Sequence, residues 1–188
     1  MADVLLFHSV VGLRPAVLAT ADRLRAAGHR VVTPDLYDGR TADSIDDGFA
    51  IHDDIGRVNL RRRAREAARE LPGTAVLAGL SLGASFAAEL AAERPETPGL
   101  LFWHGAAGDP ATVRAGLPVQ VHLADPDEFE PADEVAAWRK AMVDAGAELE
   151  IFTYPGAGHL YTDDGIPGYD EAATRSTWER SLAFLARF

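Results

Sequence analysis

The stretch "VLAGLSLGASFAAEL", Val76 to Leu90, decides the fold. It opens apolar, turns at Gly79-Leu80-Ser81-Leu82-Gly83, and continues with apolar and small residues at helical spacing. The pattern is a buried strand running directly into a helix, with a serine at the junction and glycine two residues to either side. A serine placed there occupies a tight turn, and its small neighbours imply that strand and helix pass close together.

The surroundings repeat the alternation. "DVLLF" (Asp3–Phe7) reads as a buried strand, and "GLRPAVLATADRLRAAG" (12–28) as a helix with Pro15 in its first turn and Gly28 past its end. "RVVTPDLY" (30–37) is an apolar run stopped by Pro34. Residues 38–56, rich in Asp and Gly with little periodicity, read as a long loop with at most a short helix. "VNLRRRAREAARELPG" (58–73) is an amphipathic helix, "TAVLAGL" (74–80) a strand and "LGASFAAELAAERP" (82–95) a helix. "GLLFWHG" (99–105) and "LPVQVHLAD" (117–125) are strands, the second followed by the loop "PDEFEP" (126–131). A helix (132–146), a strand "ELEIFTYPG" (148–156) and a terminal helix (170–188) complete the chain. Alternating strands and helices predict an α/β fold: a doubly wound, mostly parallel sheet with helices on both faces. With no repeat, linker or low-complexity tract, residues 1–188 read as one domain.

Composition narrows the function. A formal charge of −11 and no cysteine among 188 residues disfavour nucleic-acid binding and exclude a thiol nucleophile or thiolate metal site. The N-terminus lacks the basic region of a signal peptide, and no apolar run approaches a membrane span, so a cytoplasmic location without membrane attachment is expected.

In such sheets ligands bind beyond the C-terminal strand ends, where Ser81 sits. Gly-x-Ser-x-Gly between strand and helix is the nucleophile elbow of α/β-hydrolases: the serine projects from the sheet, and Gly79, Gly83 and Ala84 leave room for the crossing. Such a serine needs a base and an orienting acid, following it in the order acid, then histidine. Of the histidines after Ser81, His104 and His122 fall at strand ends, whereas His159 lies in the Gly-rich loop "YPGAGHLYTDD" and is the expected base. Asp125 and Asp127 both follow the strand "VQVHLAD", and spacing alone does not separate them. The oxyanion hole is expected from the Leu82 N–H and an N–H of the loop "HSVVGL" after the first strand.

"PDLYDGR", the serine elbow, "LADPDEFEP", "YPGAGHLY" and "GYDEAATRSTWERSLAFL" together resemble the dienelactone hydrolase family, in order over nearly the whole chain. The resemblance implies a small α/β-hydrolase fold with a minimal lid and a Cys-Asp-His triad. It assigns the acid to Asp127, the histidine to His159 and the second oxyanion N–H to Val10, beside Ser9. Three departures stand out: Ser81 replaces the family's cysteine, Ser9 a glutamate, and Asp163 a carboxylate-binding arginine four residues past the histidine. Asp163 in the pocket would repel an anionic substrate, so a neutral ester or lactone is expected.

The expectation is a serine hydrolase with no cofactor or metal and a small-molecule substrate. Ser9, Tyr37, His104, Tyr161 and Asp163 are candidate substrate-binding residues. A thioesterase, a C–C bond hydrolase, or a binding protein that keeps the fold without turnover are the alternatives. His8, His104 and His122 share no local ligand spacing and read as packing or cleft residues rather than a zinc site. The arginines at 61, 62, 63, 65 and 69 read as a solvated helix face paired with Glu66 and Glu70. Phe102, Trp103, Trp138 and Trp178 read as packing residues.

Overall fold

A computed structural model describes residues 1–188. Six parallel strands form one sheet: β1 (Asp3–Phe7), β2 (Arg30–Val32), β3 (Val76–Leu80), β4 (Leu100–Trp103), β5 (Pro118–Asp125) and β6 (Glu148–Pro155). Their spatial order is β2-β1-β3-β4-β5-β6. The chain winds outward from β1 to β2, then crosses back to lay β3 on the other side of β1. That reversal opens a crevice beyond the carboxyl ends of β1 and β3, in register as Phe7 beside Gly79.

Alternate side chains of each central strand face opposite layers. Leu5, Phe7 and Leu77 join a core with Leu60 and Ala64 of α3 (Arg57–Ala68) and Phe86, Ala87 and Leu90 of α4 (Leu82–Glu93). Met142 of α5 (Ala132–Asp144) closes that layer. Val4, Leu6 and Val76 face Val17, Ala21 and Leu24 of α1 (Pro15–Ala26) and Trp178 and Phe184 of α6 (Glu171–Leu185). The sheet is thus covered on both sides. Its outer strands differ: β2 has three residues, whereas β6 has eight and is largely half-exposed or exposed.

Residues 38–56 depart from the expected loop, because Ile45–Ile55 form an eleven-residue helix, α2. The Ser44 hydroxyl accepts the Asp47 N–H at 3.1 Å, Asp46 and Asp47 sit at the positive end, and Gly56 ends the helix with φ 79°. Ser44-x-x-Asp47 was the sequence signal for this start. Gly48 obscured it. Its low helix propensity is required by packing, since a Cβ there would strike the Val10 carbonyl.

No helix is long and apolar enough to cross a membrane.

Candidate active site

β3 ends at Leu80, and Ser81 turns the chain into α4 with φ 49° and ψ −111°. That left-handed conformation costs a non-glycine residue about 1–3 kcal/mol, and it persists only where neighbours impose it. The Ser81 N–H donates to the Trp103 carbonyl at 2.7 Å, and the Ser81 carbonyl accepts from Ala84 at 2.8 Å. A Cβ on Gly79 would overlap the Gly83 carbonyl group, and one on Gly83 would overlap the Phe7 carbonyl. The two glycines therefore let β1, β3 and α4 converge, and convergence holds the serine in its strained turn.

The loops after β5 and β6 bring two side chains to this point. Ser81 Oγ lies 2.8 Å from His159 Nε2, and His159 Nδ1 lies 2.7 Å from Asp127 Oδ2. With the carboxylate as acceptor, Nδ1 carries the proton, and Nε2 is left to accept from the serine hydroxyl. Asp127 is anchored through Oδ1, which accepts the Phe129 N–H at 3.0 Å, and its side chain is 1% exposed. The Phe129 ring lies against the His159 ring, with centroids 4.6 Å apart. Asp125, which spacing alone does not separate from Asp127, is exposed at the end of β5 and makes no hydrogen bond to His159.

After β1 the chain turns sharply, with the Gly12 N–H donating to Ser9 O at 3.1 Å. Leu82 packs against the small cluster that holds Val10 and Val11. The Val10 N–H donates to no protein acceptor. Leu82 opens α4, so its N–H has no partner within the helix, and it makes no loop or cap bond either. The Leu82 amide and the positive end of α4 thus lie beside the serine, and the Val10 amide is free in the cluster against which Leu82 packs.

The remaining candidates fall elsewhere. Tyr37, expected to line the pocket, is fully buried, with its ring edge-on to His8 and its hydroxyl unpartnered; burial raises its pKa. Tyr161 is also fully buried, bonded to the Thr177 hydroxyl at 2.7 Å, and burial again raises its pKa. Ser9 is buried and caps its own turn by accepting the Val11 N–H at 3.4 Å. His104 lies under His159 with ring centroids 6.2 Å apart, Nε2 on the Thr162 hydroxyl at 2.7 Å, and no exposed surface. It supports the base rather than facing the cleft. Burial, and then the neighbouring His159 and His122, hold its pKa well below the usual range. His8 is fully buried and bonds the Leu36 N–H at 3.1 Å, while burial brings His122 down to about 3. Burial lowers the His8 pKa as well.

Asp163 corrects the expectation that rested on it. Its carboxylate does not enter the pocket; Oδ2 accepts from Arg14 Nε at 3.0 Å, and both side chains are nearly buried. Arg14 also donates to the Ala42 carbonyl at 2.7 Å, Asp43 at 2.8 Å and the Gly165 carbonyl at 3.3 Å. One guanidinium thereby joins the loop after β1, the segment before α2 and the loop that carries His159. No local pattern around Arg14 revealed these partners, since Asp163 and Gly165 lie about 150 positions away.

The basic run on α3 is a paired face, with different partners from those expected. Arg57 and Arg61 both reach Glu89 and Arg65 reaches Glu93, all on α4, while only Arg62–Glu66 is an i,i+4 pair. Sequence reading also passed over Glu130, whose Oε2 accepts the Ala106 N–H at 3.1 Å beside the serine turn.

A strained serine at the end of a central parallel strand, backed by a histidine and an aspartate from later loops, defines the α/β-hydrolase class. Within that class the chain belongs to the dienelactone hydrolase family, whose family model matches residues 2–188. It is accordingly a hydrolase of the ester and lactone type. A putative carboxymethylenebutenolidase of Salmonella typhi is 26% identical over 208 residues, covering 98% of this chain and 77% of the relative. A carboxymethylenebutenolidase of Rhodococcus opacus is 26% identical over 213 residues, covering 98% of this chain and 81% of the relative. Among solved structures, a putative dienelactone hydrolase of Klebsiella pneumoniae superposes with a TM-score of 0.82 at 22% identity, covering 100% of this chain and 88% of the other.

Proposed function

We propose that the protein is a serine hydrolase that cleaves a small neutral ester or lactone through an acyl-enzyme. The observation that carries this reading is the continuous hydrogen-bonded chain from Ser81 through His159 to Asp127 at a strained strand–helix turn. Ser81 Oγ attacks the carbonyl carbon as His159 Nε2 takes the hydroxyl proton. Asp127 keeps the proton on Nδ1 and stabilises the imidazolium. The Val10 and Leu82 N–H groups hold the oxyanion, and each such donor contributes about 3 kcal/mol in comparable sites. Collapse expels the alcohol, which receives the proton from His159, or opens the lactone ring. Water activated by the same histidine then releases the acid and restores Ser81.

The neutral preference rests on the site's charges. A cleft of about 410 Å³ beside the triad is lined by Pro126, Asp127, Glu128, Gly158 and His159, with no Arg or Lys among them. The Asp163 carboxylate is neutralised by Arg14 and plays no part in the preference. A fluorophosphonate probe tests the mechanism: it should label the wild type at Ser81, whereas Ser81→Ala should take no label and lose at least about 10⁴-fold in ester hydrolysis. In the same assay, kcat/KM should be higher for neutral esters than for matched esters bearing a free carboxylate. Full activity in Ser81→Ala refutes the reading.

A further inference from the structure

Glu130 lies three residues past Asp127, on the same loop, and is half-buried. Its Oε2 accepts the Ala106 N–H at 3.1 Å. The neighbouring Gly105 has no side chain, and the space its Cβ would fill lies 3.5 Å from Glu130 Oε1. That same space lies 3.3 Å from the Ser81 carbonyl oxygen and 3.4 Å from the Ser81 Cα. The carboxyl thus reaches from the acid loop across to the loop that walls Ser81, with one methyl group's breadth between it and the serine backbone.

We propose that Glu130 is a positioning residue of the triad, clamping the loop beside Ser81 to the acid loop and supplying a second negative charge that stabilises the His159 imidazolium. This rests on the hydrolytic mechanism above. The groups facing the carboxyl are the Ala106 N–H after β4, Asp127 on its own loop, Glu134 in the first turn of α5 and His159 after β6. Arg139 and Lys140 line the groove that continues along α5. Burial pushes the Glu130 carboxyl up to about 7, aided by Asp127 and Glu134 and opposed by the Ala106 N–H and His159. It therefore gains its charge over the range where an imidazole ordinarily loses its proton. Above that range the ionised carboxylate favours a protonated His159 and so favours proton transfer from Ser81. Below it the carboxyl is neutral and that support is lost. The acid limb of kcat/KM then carries two protons rather than one.

Glu130→Gln separates charge from clamp, because the amide oxygen still accepts the Ala106 N–H. Two readouts are taken: an NMR titration of the His159 imidazole, and kcat/KM against pH on a neutral ester. In the variant the His159 resonances should titrate at lower pH than in the wild type. The acid limb should move to lower pH and reduce to one proton, and the plateau should drop on the order of 5–10-fold. An unmoved His159 midpoint overturns the proposal, whether activity is unchanged or falls equally at every pH. The NMR titration needs no turnover, so failure here is distinct from failure of the hydrolytic reading, which the Ser81 probe experiment detects.

Discussion

The turn around Ser81 is built from sequence neighbours, whereas the loops that deliver Asp127 and His159 are held by distant partners. At the elbow, Gly79, Ser81, Gly83 and Ala84 act through backbone crowding against β1 and β3. In the loops the ties are side-chain bonds: Arg14 to Asp163 and Gly165, Glu130 to Ala106, and His104 to Thr162. Backbone crowding tolerates almost no substitution but leaves a local signature. Long-range ties leave none, and each can be removed singly.

Asparagine at Asp127 and at Asp125, introduced separately, should differ most in effect. Asp127→Asn should cut kcat/KM by about 10⁴-fold, because the amide favours the wrong histidine tautomer. Asp125→Asn should change it by less than about 2-fold, since that residue is exposed and makes no bond to His159. Steady-state kinetics on one neutral ester decides it; equal losses would mean that the loop's overall charge matters more than the hydrogen bond.

The next largest effect tests the Arg14 tie. Asp163→Asn removes a carboxylate from a nearly buried pair while Arg14 keeps two carbonyl acceptors and Asp43. Stability should fall by about 2–3 kcal/mol, lowering Tm by roughly 5–10 °C. kcat of the folded fraction should change far less than in Asp127→Asn. A variant with wild-type Tm would show that the His159 loop is held by its own packing.

The smallest effect is expected on the outer face. Arg61→Ala breaks a pair with Glu89, but Arg57 still engages that glutamate and the site is solvated. Tm should move by no more than about 2 °C, as thermal melts of both proteins would show.

The same contrast explains what the sequence disclosed. Strand–helix alternation and the Gly-x-Ser-x-Gly turn follow from local periodicity and sterics, so the sheet, the elbow and the loop position of His159 were readable. α2 was not, because Gly48 weakens its helical pattern for the sake of a contact with Val10, some 38 residues earlier. The choice between Asp125 and Asp127 depends on how a loop bends over the sheet, and only the family resemblance favoured one. Asp163 was misplaced for the reverse reason. Its position after His159 suggested the pocket, while its partner stood near the start of the chain. Tyr37 and Tyr161 lie on loops, yet those loops fold inward, and loop membership alone did not separate lining from burial.

The open edge at β6 bears on how the molecule behaves when crowded. A strand of eight residues at the end of a sheet offers unpaired backbone groups to any other strand. Here the exposed positions alternate with charge: Glu148 and Glu150 stand on the strand and Arg187 pairs with Glu148, while Arg180 lies 4.3 Å from the centre of the Phe152 ring. An incoming strand would have to displace these glutamates from Arg187, which also lies 3.9 Å from Glu150. The opposite edge, β2, is too short at three residues to template much pairing, and it opens on Arg30. The two ends of the sheet thus offer little to a further strand for different reasons, one because charged side chains line it and the other because it is short.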